Sequence, residues 1–93
     1  MRQQEAFRAL ADRSRRRILK LLQKRSMTAG ELAEAFDFSA PSLSHHFSVL
    51  KAADLVRTER RGQTIVYSLN TTVLEDISRI VLDLFGTRNG RKP

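Results

Sequence analysis

Residues 39–51, SAPSLSHHFSVLK, decide the fold, and they hold both histidines of the 93-residue chain. Ser39 can accept an N–H of the following turn, and Pro41 is tolerated in a first turn because its missing N–H would have no partner there. Leu43, Phe47 and Leu50 then recur at helical spacing. The stretch therefore predicts a helix that begins near Pro41 and ends near residue 53.

The two histidines are predicted to face different ways. At about 100° per residue, Leu43, Phe47 and Leu50 define a buried stripe, and His45 falls at about 200° from Leu43. His46 falls at about 60° from Leu43, at the edge of the core. We expect His45 to face outward and His46 to be partly buried and hydrogen-bonded to the backbone.

The outward face of this helix is rich in small hydroxyl side chains. Serine is a weak helix former and adds no burial there, so its presence needs another reason. A major groove supplies one, because hydroxyls contact base edges and phosphates; plain solvation is the alternative. The candidate DNA contacts of this helix are Pro41, Ser42, Ser44, His45, Ser48 and Lys51.

A second short helix precedes the stretch. Thr28 and Glu31 match a capping box that opens a helix over residues 28–36, and the turn at residues 37–38 separates it from the next one. Two short helices joined by such a turn are typical of a helix-turn-helix. Thr28 and Ser39 are further candidate phosphate contacts.

The flanking segments complete the pattern. Upstream, apolar spacing predicts a helix over residues 4–10 and another capped by Asp12 or Ser14. Downstream, residues 55–60 and 64–69 alternate apolar and polar side chains around Gly62, which predicts a two-stranded hairpin. Asn70 or Thr71 can cap a final helix, and Gly86 is a stop signal for it.

Basic and polar residues gather on the hairpin. They are solvated at many hairpin tips, but beside a recognition helix they are placed to reach phosphates or the minor groove. The candidate contacts of this wing, which spans residues 57–67, are Arg57, Arg60, Arg61 and Gln63.

The predicted fold class is mainly α with a small β-hairpin. The order is helix, helix, helix, helix, strand, strand, helix (α-α-α-α-β-β-α), which is that of a winged helix-turn-helix. Residues 1–86 are expected to form one DNA-binding and dimerisation domain, and residues 87–93 a basic flexible tail.

Charge favours a polyanionic partner. The chain has 17 Lys and Arg against 10 Asp and Glu, a net charge of +7. Three of the basic residues, Arg88, Arg91 and Lys92, lie in the tail, and the other 14 still exceed the acidic residues by four. Double-stranded DNA is the first partner to consider.

The residues that the chain contains argue against enzymes and against membrane or exported proteins. The chain has no cysteine and no Gly-rich phosphate loop, so we expect neither an enzyme nor a cofactor. Its most apolar stretch, residues 73–85, is interrupted by charges and is not expected to cross a bilayer. The opening residues are polar, unlike a signal peptide, which favours the cytoplasm.

The final helix has a broader apolar face than one core contact needs. Its breadth favours a dimer contact through this helix, and an intramolecular core is the alternative. The candidate interface residues are Phe7, Val73, Ile77, Ile80, Val81, Leu84 and Phe85.

Several stretches together resemble a known family. LADRSRRRILKLL, MTAGELAEAFDFSAPSLSHHFSVLKAADLV and RRGQTIVYSL are similar to the ArsR-type winged-helix repressors, in order and spacing, from residue 6 to residue 69. The resemblance implies a homodimer, a recognition helix over residues 41–53 and a palindromic operator. Arg13 departs from the family, which commonly has proline there.

Within the family, SLSHHFSVLK and YSLNTTVL resemble the SdpR-type autorepressors, which lack metal ligands. Many other members sense metals through Cys on the third helix or His and Asp on the last. Here those positions carry no Cys or His, and Asp76 and Asp83 alone are weak ligands for a transition metal, so we expect no metal site. The resemblance leaves a regulatory protein partner open, as does the alternative of a protein-interaction module with weak DNA binding.

Overall fold

The computed structural model describes residues 2–86. The predicted tail, residues 87–93, lies outside the described residues. The elements in order are α1 (Gln3–Leu10), α2 (Arg13–Leu22), β1 (Met27–Thr28), α3 (Ala29–Ala35), α4 (Ala40–Ala52), β2 (Val56–Arg61), β3 (Thr64–Leu69) and α5 (Thr71–Leu84). The mainly helical winged helix-turn-helix is confirmed, with α3 and α4 as its helix pair.

Side-chain caps set the starts of the helix pair. The Thr28 hydroxyl accepts from the Glu31 N–H at 3.0 Å, and the Glu31 carboxylate accepts from the Thr28 N–H at 2.9 Å, so the predicted capping box is present. The Ser39 hydroxyl accepts from the Ser42 N–H at 3.2 Å. Pro41 lies in the first turn of α4, where it removes no helical hydrogen bond.

The caps of α2 and α5 differ in kind. Asp12 caps α2, because its Oδ1 accepts from the Arg15 N–H at 3.1 Å. Asn70 occupies the N-cap position of α5 without a side-chain cap bond, and its Oδ1 accepts instead from Arg57 Nη2 at 3.4 Å. The predicted capping of α5 by the Asn70 side chain was therefore wrong, since that amide ties the helix start to the wing.

The sheet has three antiparallel strands in the order β1-β3-β2. The β2–β3 hairpin was predicted, and its two-residue loop places Gly62 at a φ of 65°, as tight hairpin turns require. The prediction of only two strands was wrong, because Met27 and Thr28 pair with Tyr67 and Val66. Two residues are too few for the alternation that marks a strand in a sequence.

The core lies where the helices meet the sheet. Its largest fully buried side chains are Ile18 of α2, Leu32 of α3, Leu50 of α4 and Leu55 before β2. One cluster contains them all, so α4 is packed into the same core as the sheet. Each such side chain stabilises the fold by about 1.5–3 kcal/mol through the apolar area it removes from water.

The first half of α5 belongs to this core. Val73 and Ile77 are only 8% and 6% exposed within the single chain. The chain's own core covers these two side chains, and their place in a dimer interface stays a prediction. The second half of α5 differs, since Leu84 is 77% and Phe85 74% exposed.

A left-handed residue closes α4 and aims the chain into β2. Asp54 has a φ of 60°. Its N–H donates to the Lys51 carbonyl at 3.0 Å, and the Leu55 N–H donates to the Leu50 carbonyl at 3.0 Å. This pair of bonds is the Schellman motif, in which glycine is the usual left-handed residue. The contact of buried Leu50 with buried Leu55 fits the motif's hydrophobic pair.

Asp54→Gly should raise the free energy of unfolding by about 1 kcal/mol, because glycine adopts the left-handed conformation without strain. Chemical denaturation of the variant and the unmodified protein measures this free energy. Ala52→Gly, placed two residues earlier within the helix, should lower the same quantity by about 1 kcal/mol. A loss of stability from Asp54→Gly would show that the Asp54 side chain stabilises the turn more than the left-handed conformation strains it.

Candidate nucleic-acid interface

One face of α4 is open to solvent and almost wholly polar. Pro41, Ser44, His45, Ser48 and Lys51 are all exposed, as the sequence predicts. These five residues are called the outer face below. Their side chains are short apart from those of His45 and Lys51, so a duplex can approach the helix closely.

Ser42 differs from the other predicted contacts, because it is half-buried. It lies on the flank of α4, next to the buried side. The helical wheel drawn from the sequence had instead predicted that Ser42 faces outward. The wheel centred the buried stripe on Leu43, Phe47 and Leu50, but the stripe is rotated toward His46. Phe47 is only half-buried, while His46 is 8% exposed.

His46 is a buried residue of α4, and its polar partner is a side chain. Its Nδ1 lies 3.4 Å from Nη1 of Arg15, so the predicted backbone hydrogen bond was wrong. The ring also packs against Phe38, with 5.4 Å between ring centroids. Burial lowers the pKa of His46; Arg15 and His45 lower it further, and Asp12 opposes them. The imidazole is therefore held in its neutral form at neutral pH.

Aromatic contacts join α4 to the wing. The ring of Phe47 lies 4.5 Å from that of Tyr67 on β3, centroid to centroid. Tyr67 pairs with Thr58 of β2 and with Met27 of β1. α4 and the three-stranded sheet thus have a fixed relative position, as a composite surface on one ligand needs.

The arginines at the end of the wing point to opposite faces of the ribbon. Arg60 pairs with Ile65 and lies two residues from Thr58, so it shares the face that packs on the helices. Arg61 pairs with Thr64 and lies on the other face with Glu59. Side chains alternate along a strand, so neighbouring arginines cannot serve one groove in the same way.

The wing residues also differ in their contacts. Arg61 Nη2 forms an exposed ion pair with Glu59 at 3.0 Å, and Arg57 Nη2 donates to Asn70. Arg60 Nε donates to the Gly62 carbonyl at 3.2 Å, and its charge has no acidic partner within residues 2–86. Gln63 is exposed in the turn. Of the three arginines, Arg60 is best placed to meet an anion beside α4.

The hydroxyls of Thr28 and Ser39 accept the cap bonds described above, and each keeps its hydrogen to donate. Both stand at helix N-termini, where backbone N–H groups and the helix dipole favour an anion. At Thr28 the Glu31 carboxylate already occupies that place, and its bond from the Thr28 N–H lowers the pKa of Glu31. Ser39 has no acidic residue in the first turn of its helix.

Comparison with known proteins agrees with this geometry. A family model described as a helix-turn-helix domain matches residues 10–59. The transcriptional repressor SdpR of Bacillus subtilis (strain 168) is 54% identical over 75% of this chain and 78% of its own length. A solved ArsR family transcriptional regulator covers 95% of this chain and 100% of its own, with a TM-score of 0.76 and 28% identity.

This chain belongs to the ArsR-type family of winged helix-turn-helix repressors. It is accordingly a DNA-binding transcriptional repressor. Another relative, the arsenical resistance operon repressor of Staphylococcus aureus, is 42% identical over 88% of this chain and 78% of its own length. The outer face of α4 lies at the position of the recognition helix in this fold.

Arg2 is a cation at the C-terminal end of α4 that the sequence of this ArsR-type chain did not indicate. Arg2 Nη1 donates to the Ala52 carbonyl at 3.4 Å, at the C-terminal end of α4. It lines a shallow groove with Ser48, Lys51 and Asp54. Arg2 is fifty residues from Ala52 in sequence, so no local pattern could have placed it there.

Two further findings concern metal ligands and membrane spans in the described part of this ArsR-type chain. Residues 2–86 contain no group of three or more His, Cys, Asp or Glu side chains arranged to hold a metal ion. Asp76, one of the two carboxylates considered in the sequence, pairs with Arg79. No helix over the same residues has the length and apolar character needed to span a membrane.

Proposed function

We propose that this repressor binds a palindromic DNA operator as a homodimer, with α4 of each subunit in a major groove and the β2–β3 wing beside it. The observation that carries the proposal is the outer face of α4. It is exposed, polar and small, and it lies on a helix whose opposite side is packed into the core. Such a face has little use in stability and suits close approach to base edges.

Within that face we assign different roles. Ser44 and His45 lie in the N-terminal half of α4 and are proposed to contact bases. Ser48 and Lys51, with Arg2 beside them, are proposed to contact phosphates. Half-buried Ser42 is proposed to contribute less than the sequence suggested.

A second copy of the chain would double the contacts with DNA. One half-site offers too few base contacts for a repressor to find its operator among many competing sites. A two-fold dimer places two recognition helices about 34 Å apart, which is one turn of B-DNA. The palindrome in the operator would then mirror the symmetry of the protein.

An apolar stripe that runs along α5 supports this assembly. The stripe is buried at Val73 and Ile77, half-buried at Ile80 and Val81, and exposed at Leu84. Phe85 is also open, and Phe7 of α1 is 37% exposed. An apolar stripe that continues past its own core favours a partner surface, and the same stripe on a second copy is self-complementary.

Regulation is proposed to be autoregulatory and independent of metals, in the cytoplasm where the operator lies. The chain has no cysteine, and His46, one of its two histidines, is engaged in the core. The DNA upstream of its own gene is the first operator to test. The level of the protein or a protein partner would then set repression.

The rival function is a protein-interaction module that uses the same surface. The two differ in salt dependence, because DNA binding releases counterions and weakens steeply with salt. The unpaired charge of Arg60 and the cations Arg2 and Lys51 near α4 favour DNA over an apolar protein surface.

Replacing Ser44 or His45 by Ala should weaken operator binding by about 1–3 kcal/mol and leave random DNA nearly unaffected, because base contacts carry the specificity. Fluorescence anisotropy with an operator duplex and a scrambled duplex measures both. Ser78→Ala, an exposed serine on α5, is the matched control and should change neither. Equal losses on the two duplexes would contradict base reading.

Arg60→Ala should weaken binding to both duplexes and reduce the slope of log K against log salt by about one unit, the value for one lost phosphate contact. Arg61→Ala should reduce the slope less, because Arg61 lies on the opposite face of the ribbon and pairs with Glu59. Arg79→Ala on α5 controls for net charge. An unchanged slope in Arg60→Ala would exclude Arg60 as a phosphate contact.

Leu84→Glu and Phe85→Glu should each convert the dimer to a monomer at micromolar concentration, because a carboxylate would be buried without a partner. Sedimentation equilibrium measures the mass, for which one chain contributes 10.6 kDa. Thr72→Glu, on an exposed position near the start of α5, should remain dimeric. A monomeric unmodified protein would count directly against the proposed dimer.

A further inference from the structure

Arg15 joins three helices through one guanidinium. Its side chain is only 12% exposed. Nε donates to the Ala9 carbonyl at 2.9 Å and Nη2 to the Arg8 carbonyl at 3.4 Å, both near the end of α1. Nη1 faces α4, where it lies 3.4 Å from Nδ1 of His46, and it is 4.0 Å from Oδ2 of Asp12.

The contact with α4 requires one particular state of His46. A guanidinium has donors and no acceptor, so Nδ1 must accept and the ring proton must lie on Nε2. A doubly protonated imidazole has no acceptor left. It would also place a second positive charge against Arg15 in a region largely closed to water.

The location of His46 makes this contact relevant to recognition. His46 precedes Phe47 and follows His45, so it lies midway along the helix whose opposite side is the outer face. Leu43 and Leu50 flank it on the buried side but are apolar, and they resist rotation only through packing. A directional polar contact adds a constraint on the rotation of α4 about its axis.

We propose that Arg15 is a positioning residue for DNA recognition, which holds the rotation of α4 through Nδ1 of His46, and that protonation of His46 releases α4 and weakens operator binding in mild acid. The inference deepens the proposed function and rests on it, because it concerns the affinity of the outer face for an operator. Neither Arg15 nor His46 needs to touch DNA for it.

Burial sets the direction of the effect on His46, and the charges around the ring add to it or oppose it. Asp12, at the N-cap of α2, favours the protonated ring, whereas Arg15 of α2 and His45 of α4 oppose it. The turn before α4 contributes the neutral ring of Phe38, and Arg17 is held over that ring at 5.8 Å from its centroid. Burial is the largest influence and lowers the pKa of His46 below 6.5.

The sign of the pH dependence follows. The unfolded chain takes up a proton at His46 before the folded chain does as the pH falls. Stability from the neutral ring is therefore complete above pH 6.5 and is lost as the pH falls toward the lower pKa of the folded state. Operator preference should be lost as His46 becomes protonated in the folded protein. The ratio of affinities for operator and scrambled DNA should then fall roughly tenfold for each pH unit below that pKa.

Acid also adds positive charge to the protein as a whole. That charge strengthens attraction to any DNA, which opposes the effect on the operator. The ratio of affinities for an operator duplex and a scrambled duplex removes much of this common term. The operator is the site that the protein itself selects from a random library at pH 7.5.

The experiment measures this ratio at constant salt from pH 7.5 to pH 5 in four proteins. The unmodified protein should lose operator preference in acid. His46→Asn, whose amide oxygen can stand in for Nδ1 without titrating, should keep most of its preference at pH 7.5 and show a flat profile. Arg15→Met should have a low ratio throughout, with little dependence on pH.

Arg16→Met is the matched control. Arg16 Nη1 also donates to a carbonyl near the end of α1, that of Leu10, at 2.7 Å, but within residues 2–86 its side chain forms no hydrogen bond with α4. This variant loses the same charge and a similar anchor on α1. It should retain the acid-dependent loss of operator preference, whereas Arg15→Met should not show it.

The ring state provides a measurement that needs neither a variant nor DNA. Nitrogen-15 NMR of the unmodified protein at pH 7.5 should show His46 neutral with the proton on Nε2. A proton on Nδ1 at that pH would overturn the inference even if every variant unfolds. A pH-independent operator preference, or an unchanged profile in His46→Asn, would also overturn it.

Failure of the proposed function has a different signature. No operator preference at pH 7.5 in the unmodified protein would contradict sequence-specific binding, and the inference would fall with it. A strong preference that does not change with pH would contradict the inference alone.

Discussion

The seating of α4 against the core is the constraint on which the rest of this protein depends. Leu43, His46 and Leu50 are buried on one side of that helix, which leaves the other side to solvent. The apolar pair supplies most of the free energy, since each leucine contributes about 1.5–3 kcal/mol through burial. His46 adds direction, because a buried imidazole requires a partner and Arg15 supplies one from a fixed position. A small rotation of α4 would carry Ser44 and His45 away from the groove they are proposed to read.

The wing depends on the same seating. Phe47 contacts Tyr67, and the Schellman turn at Asp54 joins the end of α4 directly to β2. The hairpin is therefore held in a fixed position relative to α4 and is not an independently placed arm. Arg60, on the helix-facing side of the ribbon, is thereby placed beside the outer face, and Arg61 is turned away from it. A single charge count for the wing would have treated the two as equivalent.

Local patterns were sufficient for much of this structure. The Asp12 cap, the Thr28–Glu31 box and the Ser39 cap each involve groups three residues apart, so a short window of sequence contains the whole interaction. The outer face followed from helical periodicity, with the exception of Ser42. The two-residue period of a strand also predicts opposite orientations for Arg60 and Arg61, although the sequence analysis grouped the two by their charge.

The features that the sequence did not reveal are contacts between distant segments. The pairing of β1 with β3, the Arg15–His46 contact and the Arg2–Ala52 contact all join residues 31 to 50 positions apart. Only the folded chain brings these groups together. Val73 and Ile77 illustrate the same limit, because an apolar stripe shows that a helix face is covered but not whether its own chain or a second copy covers it.

The outer face of α4, together with the helix-facing side of the wing, is proposed as the surface that meets DNA. Backbone amide shifts in a nitrogen-15 NMR titration with an operator duplex locate that surface residue by residue. The largest changes are expected at Ser44, His45 and Ser48 and at Arg60, with little change at Glu75 and Ser78 on α5. Changes concentrated on α2 or α5, with α4 unaffected, would contradict it.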